Sequence, residues 1–326
     1  MSDLYHIPND DGKTYRLKKF VEYQHEVPSI HYRFLGEYIK NHKFDKDTTI
    51  NFCFLMCVTY NELTCILLHE MFKEMTEEEI WDKYKSVLLF GSARKYAKNN
   101  DQFIDLIKGW KVTTNNMPFE WLRSQILPSE KQTCVNVQRH IQNVKNVGRF
   151  ASDLFIEMLV YLKDYLGIRI KEPTTIDWKN CANLTSGIFN IFYEDEKANE
   201  FDKTKKVSPL EIKYLSTKLS AIQKSIQGTY PEQDSEISMF IGKICSFRNL
   251  FKNARYGGFH HDRQLKALKQ YEVNFPQYSY LWEECYKLRQ YLFPSRFLGE
   301  LHGWDGIRKE RKKIWLTTGK TGAENE

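Results

Sequence analysis

A turn between two predicted helices holds residues with a clear chemical use. In the segment IQNVKNVGRFASDLFIEML, residues 141–159, one helix stops and a second begins at Arg149. The break needs a residue that tolerates positive φ, and Asn146 and Gly148 both do. Backbone N–H groups at the start of the second helix are suited to hold a DNA phosphate. The predicted DNA-binding element is the 145–149 turn, formed by Lys145, Asn146, Val147, Gly148 and Arg149.

The same turn has a simpler explanation as a helical hairpin in which Gly148 only reverses the chain. The charges of Lys145 and Arg149 favour the DNA interpretation. Cations beside a helix N-terminus strengthen phosphate binding and make it sensitive to salt. We also place Arg149 among the candidate catalytic residues.

A carboxylate further along the chain is the second catalytic candidate. Asp177 follows Pro173 in the segment PTTIDWKN, at the start of another predicted helix. An aspartate in that place is most often an N-cap. It can also act on a substrate only if one of its carboxylate oxygens stays free.

The run YGGFHHDR, residues 256–263, is typical of a functional loop. Two glycines let the backbone approach a ligand closely, and histidine and arginine side chains can grip a phosphate. The alternative is a turn followed by a helix that Asp262 caps. The candidate substrate-binding residues of this region are Arg255, His260, His261, Asp262 and Arg263.

A long apolar helix is predicted from Ile50 to about Met71, with a polar interruption near its middle. Tyr60 and Asn61 at this interruption could line a pocket for a DNA base, although a position facing solvent explains them equally well. Near the C-terminus, residues 297–315 combine glycines with a basic run. A solvated helix is the default explanation of that run, and a surface that follows phosphates is the alternative.

Several other chemistries find no support in the motifs. Gly319-Lys320-Thr321 resembles the end of a P-loop, but Ile314 stands where the first glycine belongs. His69-Glu70 lacks the second histidine of a zinc-protease helix, and no nucleophile elbow is present. The seven cysteines include no CxxC pair, so we expect neither a metal nor another cofactor.

The composition favours a folded helical protein in the cytoplasm. Hydrophobic residues make up 41% of the 326-residue chain and aromatic residues 14%, which is too much apolar material for a disordered chain. The apolar run Phe52–Leu68 is short and polar for a membrane span, and the N-terminus lacks the apolar stretch of a signal peptide. The net charge of +6 permits a polyanionic partner without requiring one.

Helical periodicity accounts for most of the chain and predicts an all-α fold. Thr76 and Glu79 form a capping box before one of the helices. The domain prediction is a glycosylase-like region over 1–192, a polar linker over 193–208, a helical region over 209–316 and a disordered tail over 317–326. The other predicted helices are Ile30–Lys40, Glu77–Leu89, Gln102–Trp110, Pro118–Ile126, Glu130–Val144, Arg149–Leu166, one from Trp178, Pro209–Ile226, Ser235–Asn253, Gln264–Tyr271 and Tyr280–Leu292.

The turn VGRFA at 147–151, followed by Asp177 after PTTI, resembles the helix-hairpin-helix DNA glycosylases. The likeness covers roughly residues 50–190, and FCFLMCVTYNELTCILL is similar to their first long core helix. Two positions depart from that family. Asn146 replaces the first glycine of the turn, and Phe150 stands where strand-cleaving members have a catalytic lysine, so Schiff-base cleavage is not implied.

The chain is similar, over most of its length, to the amino acid:DNA transferases of phage DNA hypermodification, also called α-glutamyl/putrescinyl thymine pyrophosphorylases. The likeness rests on GRFAS at 148–152, Asp177, YGGFHHDR and GWDGIR at 303–308. It implies a substrate base in DNA whose 5-methylene carries a phosphate or pyrophosphate, which an amino acid or polyamine displaces. It also implies a separate P-loop kinase that activates the base, and a location in the host cytoplasm.

The implied reaction assigns a role to each candidate group. The 145–149 turn holds double-stranded DNA with one base flipped, Asp177 orients or deprotonates the amine, and the cations near YGGFHHDR hold the leaving group. Tyr60 and Asn61 line the base pocket. Two alternatives remain open, a base-excision glycosylase and a helical DNA-binding phage protein without enzymatic activity.

Overall fold

The computed structural model describes residues 30–91, 94, 97, 102–126, 133–170, 185, 187–189, 208–229, 259–293 and 298, and the regular elements among them are helices. The fold is all-α, as helical periodicity predicts. The chain forms two compact units. The first unit comprises Met1–Pro28, Pro173–Asp262 and Pro294–Glu326, and the second comprises Ser29–Glu172 and Arg263–Phe293.

Most of the described helices belong to the second unit. In chain order the α-helices are α1 (Ile30–His42), α2 (Lys46–Thr59), α3 (Glu62–Met71), α4 (Glu77–Tyr84), α5 (Gln102–Thr114), α6 (Pro118–Ile126), α7 (Thr133–Ile141), α8 (Arg149–Leu166), α9 (Pro209–Thr229), α10 (Phe259–Asn274) and α11 (Ser279–Leu292), with a 3₁₀ turn at Pro276–Tyr278. None of the helices in this described part is long and apolar enough to cross a membrane.

Helix α2 lies at the centre of the second unit. Its side chains from Phe52 to Thr59 are all buried, so it is apolar on every side, as expected of a helix surrounded by others. Asp45 caps its N-terminus by accepting a hydrogen bond from the Thr48 amide. Helix α8 packs along α2, and α1 packs against both α8 and α3.

The prediction of one helix from Ile50 to Met71 is wrong, because the chain breaks between α2 and α3. Tyr60 ends α2 in the left-handed conformation, with φ 47° and ψ 43°. Asn61 is extended, and its side chain accepts a hydrogen bond from the Thr64 amide, which caps α3. The polar interruption in the apolar run is therefore a helix end followed at once by a helix start.

The capping box of Thr76 and Glu79 is confirmed, but α4 ends at Tyr84 rather than Leu89. Tertiary hydrogen bonds take over from the helix beyond that point. The Leu89 amide donates to the Tyr271 hydroxyl at 2.9 Å, and the Leu89 carbonyl accepts from the Thr64 hydroxyl at 2.5 Å. The backbone of Leu89 is thus held by side chains of α3 and α10.

The remaining helices agree with the predictions to within about four residues where they are described, except that α10 begins at Phe259 rather than Gln264. Residues 259–263 of the predicted functional loop are therefore helical. Helix α8 has the predicted bounds and ends at Gly167, whose φ of 66° is favourable for glycine. In the first unit, α9 buries Leu215, Leu219 and Ile222 at helical spacing. The predicted helix Ser235–Asn253 and the predicted tail lie outside the described residues, as does the linker apart from Ser208.

Candidate functional site

The 145–149 turn is exposed at the surface of the second unit. The Val147 amide donates to the Val144 carbonyl at 3.0 Å, which closes the turn, and the Val147 side chain is buried beneath it. Asn146 takes the left-handed conformation with φ 69°, as predicted. Gly148 does not, because its φ is −85° and its ψ 180°. Of the two residues that could supply the positive φ of the turn, Asn146 therefore does so.

Gly148 is the N-cap of α8 and leaves the start of that helix open. As a glycine, this N-cap residue makes no side-chain capping hydrogen bond, and no acidic residue lies in the first turn of α8. Gly148 is exposed, and a Cβ atom placed on it would meet no other atom within 4 Å. The positive end of the helix dipole is therefore accessible to an anion from solvent.

The two cations of the turn have different surroundings. The Lys145 ammonium lies 2.7 Å from a carboxylate oxygen of Asp105, in an ion pair between two exposed side chains. Such pairs contribute little to stability, so an incoming phosphate can compete for the lysine. Arg149 is half-buried at the first position of α8.

An aromatic contact joins the start of α8 to the break between α2 and α3. The ring of Phe150, which is 44% exposed, meets the ring of Tyr60 edge to face, with centroids 5.9 Å apart. Tyr60 is held in its left-handed conformation by a close neighbour. The Gly91 amide donates to the Thr59 carbonyl, and a Cβ on Gly91 would lie 2.5 Å from the Tyr60 carbonyl oxygen.

Behind Tyr60 lies a buried polar chain, which we call the His31 network and which consists of His31, Glu62, Gln264 and Arg289. The imidazole centroid of His31 is 5.0 Å from that of Tyr60, and its Nδ1 is 2.5 Å from Glu62 Oε2. Glu62 Oε1 accepts from the Gln264 amide at 2.6 Å. Gln264 Oε1 in turn accepts from the Arg289 guanidinium. Helices α1, α3, α10 and α11 each contribute one side chain.

The His31 network keeps Glu62 ionised in spite of its burial. Burial alone would raise the pKa of Glu62, but the nearby charge of His31 and the hydrogen bonds from His31, the backbone and Gln264 outweigh it and lower that pKa. Asn61, which caps α3, is buried beside this carboxylate. An ionised carboxylate bonded to His31 therefore lies below the break between α2 and α3.

A second buried acid lies on the neighbouring face of α8. The Tyr32 hydroxyl donates to Glu157, and burial together with the charge of Glu157 raises the pKa of Tyr32 well above its usual value. One helical turn earlier, Asp153 accepts a hydrogen bond from Gln138 of α7. Glu157 and Asp153 therefore both lie near Tyr32.

The other predicted site residues are only partly described. Asp177 and Arg255, like the GWDGIR segment, lie outside the described residues. His260, His261 and Asp262 lie in the first turn of α10, where His261 and Asp262 are buried. Asp262 is inside this helix rather than at its N-cap. Arg263 is half-buried, and its guanidinium donates to the Phe90 carbonyl at 3.4 Å.

Sequence reasoning missed the members of the His31 network. Glu62 had a usable signal, because it is a charged residue inside an otherwise apolar run. Arg289 had one as well, since it shares the helical face of α11 that buries Leu281, Trp282 and Leu288. Neither signal identifies the partner, because Glu62 and Gln264 are separated by 202 positions in the chain.

No group of three or more metal-binding side chains is present in the parts of the chain described above. No protein-family model, curated protein or solved structure matches this chain.

Proposed function

We propose that this protein is a DNA base-modifying transferase that binds DNA through a helix-hairpin-helix element. In the proposed reaction an amino acid or polyamine displaces the phosphate or pyrophosphate on the 5-methylene of a modified uracil in DNA. The observation that carries the proposal is the open N-terminus of α8, which the contact between Phe150 and Tyr60 joins to the His31 network.

The open start of α8 supports the DNA-binding step. A phosphate there would meet backbone N–H groups, the helix dipole and the side chains of Lys145 and Arg149. Each phosphate neutralised by a cation releases counterions, so binding should weaken steeply with salt. Val147, which is buried beneath the turn, fixes its shape and makes no contact with DNA in this proposal.

The aromatic pair supports the base-binding step. An enzyme that acts on a base must take it out of the duplex, and aromatic rings stabilise the extruded base by stacking. Phe150 is exposed enough to offer its ring to such a base, and Tyr60 packs directly against it. Phe150 also has no amine for a Schiff base, which agrees with transfer rather than strand cleavage.

The transfer step needs a carboxylate near the amine and cations near the leaving group. In the proposal Asp177 orients or deprotonates the amine. The departing pyrophosphate is held by Arg255, His260, His261 and Arg263, with Asp262 as a second carboxylate. A separate P-loop kinase would prepare the base, and the reaction would take place in the cytoplasm, that of the host if a phage encodes the protein.

Nucleoside mass spectrometry tests the activity directly. DNA that contains pyrophosphorylated 5-hydroxymethyluracil is treated with the protein and a panel of amino acids and polyamines, and the digested nucleosides are analysed. The proposal expects a new nucleoside whose mass includes one of the amines. Abasic sites would indicate a glycosylase, and salt-dependent binding without an altered nucleoside would indicate a DNA-binding protein.

The substitution Gly148→Asp tests DNA binding by the 145–149 turn without weakening the fold. Aspartate is a favoured N-cap, and the backbone of Gly148 already has the extended conformation of one, so α8 should be stabilised by roughly 0.2–0.5 kcal/mol. The new carboxylate would occupy and repel the phosphate position, and DNA affinity should fall about tenfold or more. Unchanged affinity would contradict the proposed grip.

A matched control is Ser208→Asp, which adds the same charge at the N-cap of α9. The Ser208 hydroxyl already accepts a hydrogen bond from the Glu211 amide there, so the aspartate keeps the cap. DNA affinity should stay within about a factor of two of the wild type, because only one exposed charge changes. For the catalytic step, Asp177→Asn should abolish modification while leaving DNA affinity nearly intact.

A further inference from the structure

We infer that the C-terminal end of α1 forms, with α3 and α11, a binding site for a primary ammonium ion. We call it the Glu284 site, and it consists of Tyr38, His42, Glu70, Tyr280 and Glu284. The ligand class is a small alkylamine in its protonated form. The site lies at the opposite end of α1 from the His31 network and goes beyond the proposed function, so it can be tested without DNA.

Three packed helices bring two carboxylates together in the Glu284 site. Helix α1 packs against both α3 and α11. His42 Nε2 of α1 lies 3.4 Å from Glu284 Oε1 of α11. The Tyr280 hydroxyl, also on α11, donates to Glu70 Oε2 of α3 at 3.1 Å. Because Tyr280 and Glu284 are four residues apart on one helix, their side chains share a face, and Glu70 and Glu284 lie on the same side of α11.

Glu284 has acceptor positions available for a ligand. Its only side-chain contact with the described residues is the one with His42. An ionised carboxylate has about four lone-pair positions, so most of those on Glu284 are open. The side chain is 36% exposed, which makes these positions reachable from solvent.

The buried hydroxyl of Tyr38 is the second, independent observation. Tyr38 is 1% exposed, and its hydroxyl has no hydrogen-bond partner in the described part of the chain. Buried hydroxyl groups are nearly always bonded, so one without a partner needs a reason. Burial raises the pKa of Tyr38, and the charges of Glu284 and Glu70 add to this effect, which places the hydroxyl beside both acids. A donor that binds Glu284 would give this oxygen a partner.

The two acids repel each other, and a cation would relieve the repulsion. Burial raises the pKa of Glu284, and the charge of Glu70 adds to this, while His42 and Lys287 oppose it. A positive charge beside Glu284 would stabilise the ionised carboxylate. The charges around the site therefore favour a cationic ligand over a neutral one.

The chemistry of the acceptors selects an ammonium with N–H groups. The site offers carboxylate and phenol oxygens, which accept hydrogen bonds from each N–H of a primary ammonium. A quaternary ammonium has no N–H and would leave the Tyr38 hydroxyl unbonded. The ring of Tyr280, which is 53% exposed, can cover the carbon next to the charged nitrogen.

Glu70 already binds an ammonium from the protein itself. The Lys73 ammonium donates to both carboxylate oxygens of Glu70, at 2.7 and 2.8 Å. This pair shows that the surface next to Tyr280 can hold an ammonium. It also leaves Glu284 as the acid with open positions, so the ligand bonds first to Glu284 and receives further acceptors from the hydroxyls of Tyr38 and Tyr280.

The test is an NMR titration of the wild-type protein with n-butylammonium chloride. Tetramethylammonium chloride and sodium chloride at equal ionic strength are the ligand controls. We expect saturable binding of butylammonium with a Kd on the order of millimolar, and at least about tenfold weaker binding of tetramethylammonium, which donates no hydrogen bonds. A lysine of another protein is the other source of a primary ammonium, so Nα-acetyl-lysine amide is titrated as well. The tighter of the two ligands identifies the source.

Two variants locate the binding. Glu284→Gln removes the charge at constant shape and should weaken butylammonium binding about tenfold or more. Tyr38→Phe removes only the unbonded hydroxyl, so it should preserve the fold and weaken binding about threefold. The matched control is Glu283→Gln, which removes the same charge from an exposed neighbour on the same helix. Its affinity should stay within about a factor of two of the wild type.

Several results would overturn the inference. Absence of saturable butylammonium binding is one, and equal binding of tetramethylammonium is another, because both ligand tests use the wild type and do not depend on the folding of a variant. Equal losses in Glu284→Gln and Glu283→Gln would show that only the general charge of α11 attracts the cation. DNA modification is not measured in this experiment, so failure of the Glu284 site and failure of the proposed function are distinguished.

Discussion

The two ends of α1 carry the same pair of side-chain types in different surroundings. In the first turn, His31 Nδ1 is 2.5 Å from Glu62, and the two side chains are 12% and 3% exposed. In the last turn, His42 Nε2 is 3.4 Å from Glu284, and the side chains are 31% and 36% exposed. The deeper pair has the shorter contact.

The pKa directions of the two glutamates are opposite, and burial does not explain the difference. Burial raises the pKa of Glu284, and the charge of His42 opposes this without reversing it. Glu62 is more deeply buried, yet its pKa is lowered, because the charge of His31 and the hydrogen bonds from His31, from its own backbone and from Gln264 together outweigh burial. A nearby opposite charge and the hydrogen bonds that a buried carboxylate receives decide whether it stays charged.

The largest expected effect is a difference in unfolding free energy between variants of the His31–Glu62 pair and variants of the His42–Glu284 pair. Glu62→Ala leaves the imidazole and the Gln264–Arg289 pair without their buried acceptor and should cost about 3–5 kcal/mol of unfolding free energy. Glu284→Ala removes a more exposed partner and should cost less than about 1 kcal/mol. Urea unfolding followed by circular dichroism measures both. Equal losses would show that the environments differ less than the structure indicates.

The next effect concerns Gly91, which supports Tyr60 and therefore only the His31 end of α1. A Cβ at Gly91 would meet the Tyr60 carbonyl and ring, so Gly91→Ala must displace the break between α2 and α3 and should cost about 1–3 kcal/mol. Gly148→Ala is the control, because open space surrounds that position, and it should cost less than about 1 kcal/mol. Thermal unfolding of the two variants ranks them, and the reverse order would contradict the close packing.

A smaller effect concerns Lys43, which follows the last turn of α1 with φ 51°. Its amide donates to the Lys40 carbonyl, as in a helix end that normally uses glycine. Lys43→Gly relieves the left-handed strain and should stabilise the protein by about 0.5–1 kcal/mol, because part of the gain is lost to the flexibility of glycine when unfolded. Any destabilisation in urea unfolding would mean that the lysine makes a compensating contact.

The smallest effect is a difference in the sign of pH dependence. The lowered pKa of Glu62 stabilises the fold above the ordinary value of 4.5, and this contribution is lost as pH falls through the folded-state pKa. The raised pKa of Glu284 has the opposite effect, since its contribution is present below 4.5 and is lost as pH rises through the folded-state pKa.

Two isosteric variants test these signs. The stability deficit of Glu62→Gln relative to the wild type should shrink as pH is lowered from 7 through 4.5 and on past the folded-state pKa, because the wild type loses its advantage there. Glu284→Gln should gain relative to the wild type as pH is raised over the same range. Urea titrations at several pH values measure both trends, and parallel trends would remove the contrast between the two ends of α1.

Local patterns predicted much of the helical fold. The capping box at Thr76, the bounds of α8 and the left-handed Asn146 follow from side-chain types at fixed spacing, which neighbouring residues determine. The break at Tyr60 was missed because a tyrosine is an unusual residue for a left-handed helix end. Its conformation depends on Gly91, which lies far along the chain.

The candidate site was predictable at its surface and not in its interior. The 145–149 turn is a local motif, and its exposure agrees with the prediction. The His31 network joins four helices, and the pattern of each helix explains only why one polar residue is buried there. Which side chains meet is decided by tertiary packing, so the pairing of His31 with Glu62 could not be derived from their positions in the sequence.

The late position of α10 in the chain affects how this protein can fold during synthesis. Tyr271 bonds to Thr64 across 207 positions, and Gln264 bonds to Glu62 across 202. A ribosome must therefore add a further 202 residues after Glu62 before the buried acid of α3 gains its amide partner. Loop closure over such a span is slow, and until then the nascent helices expose their apolar faces. Expression yield should consequently depend on chaperones more strongly than for a helical protein with local contacts.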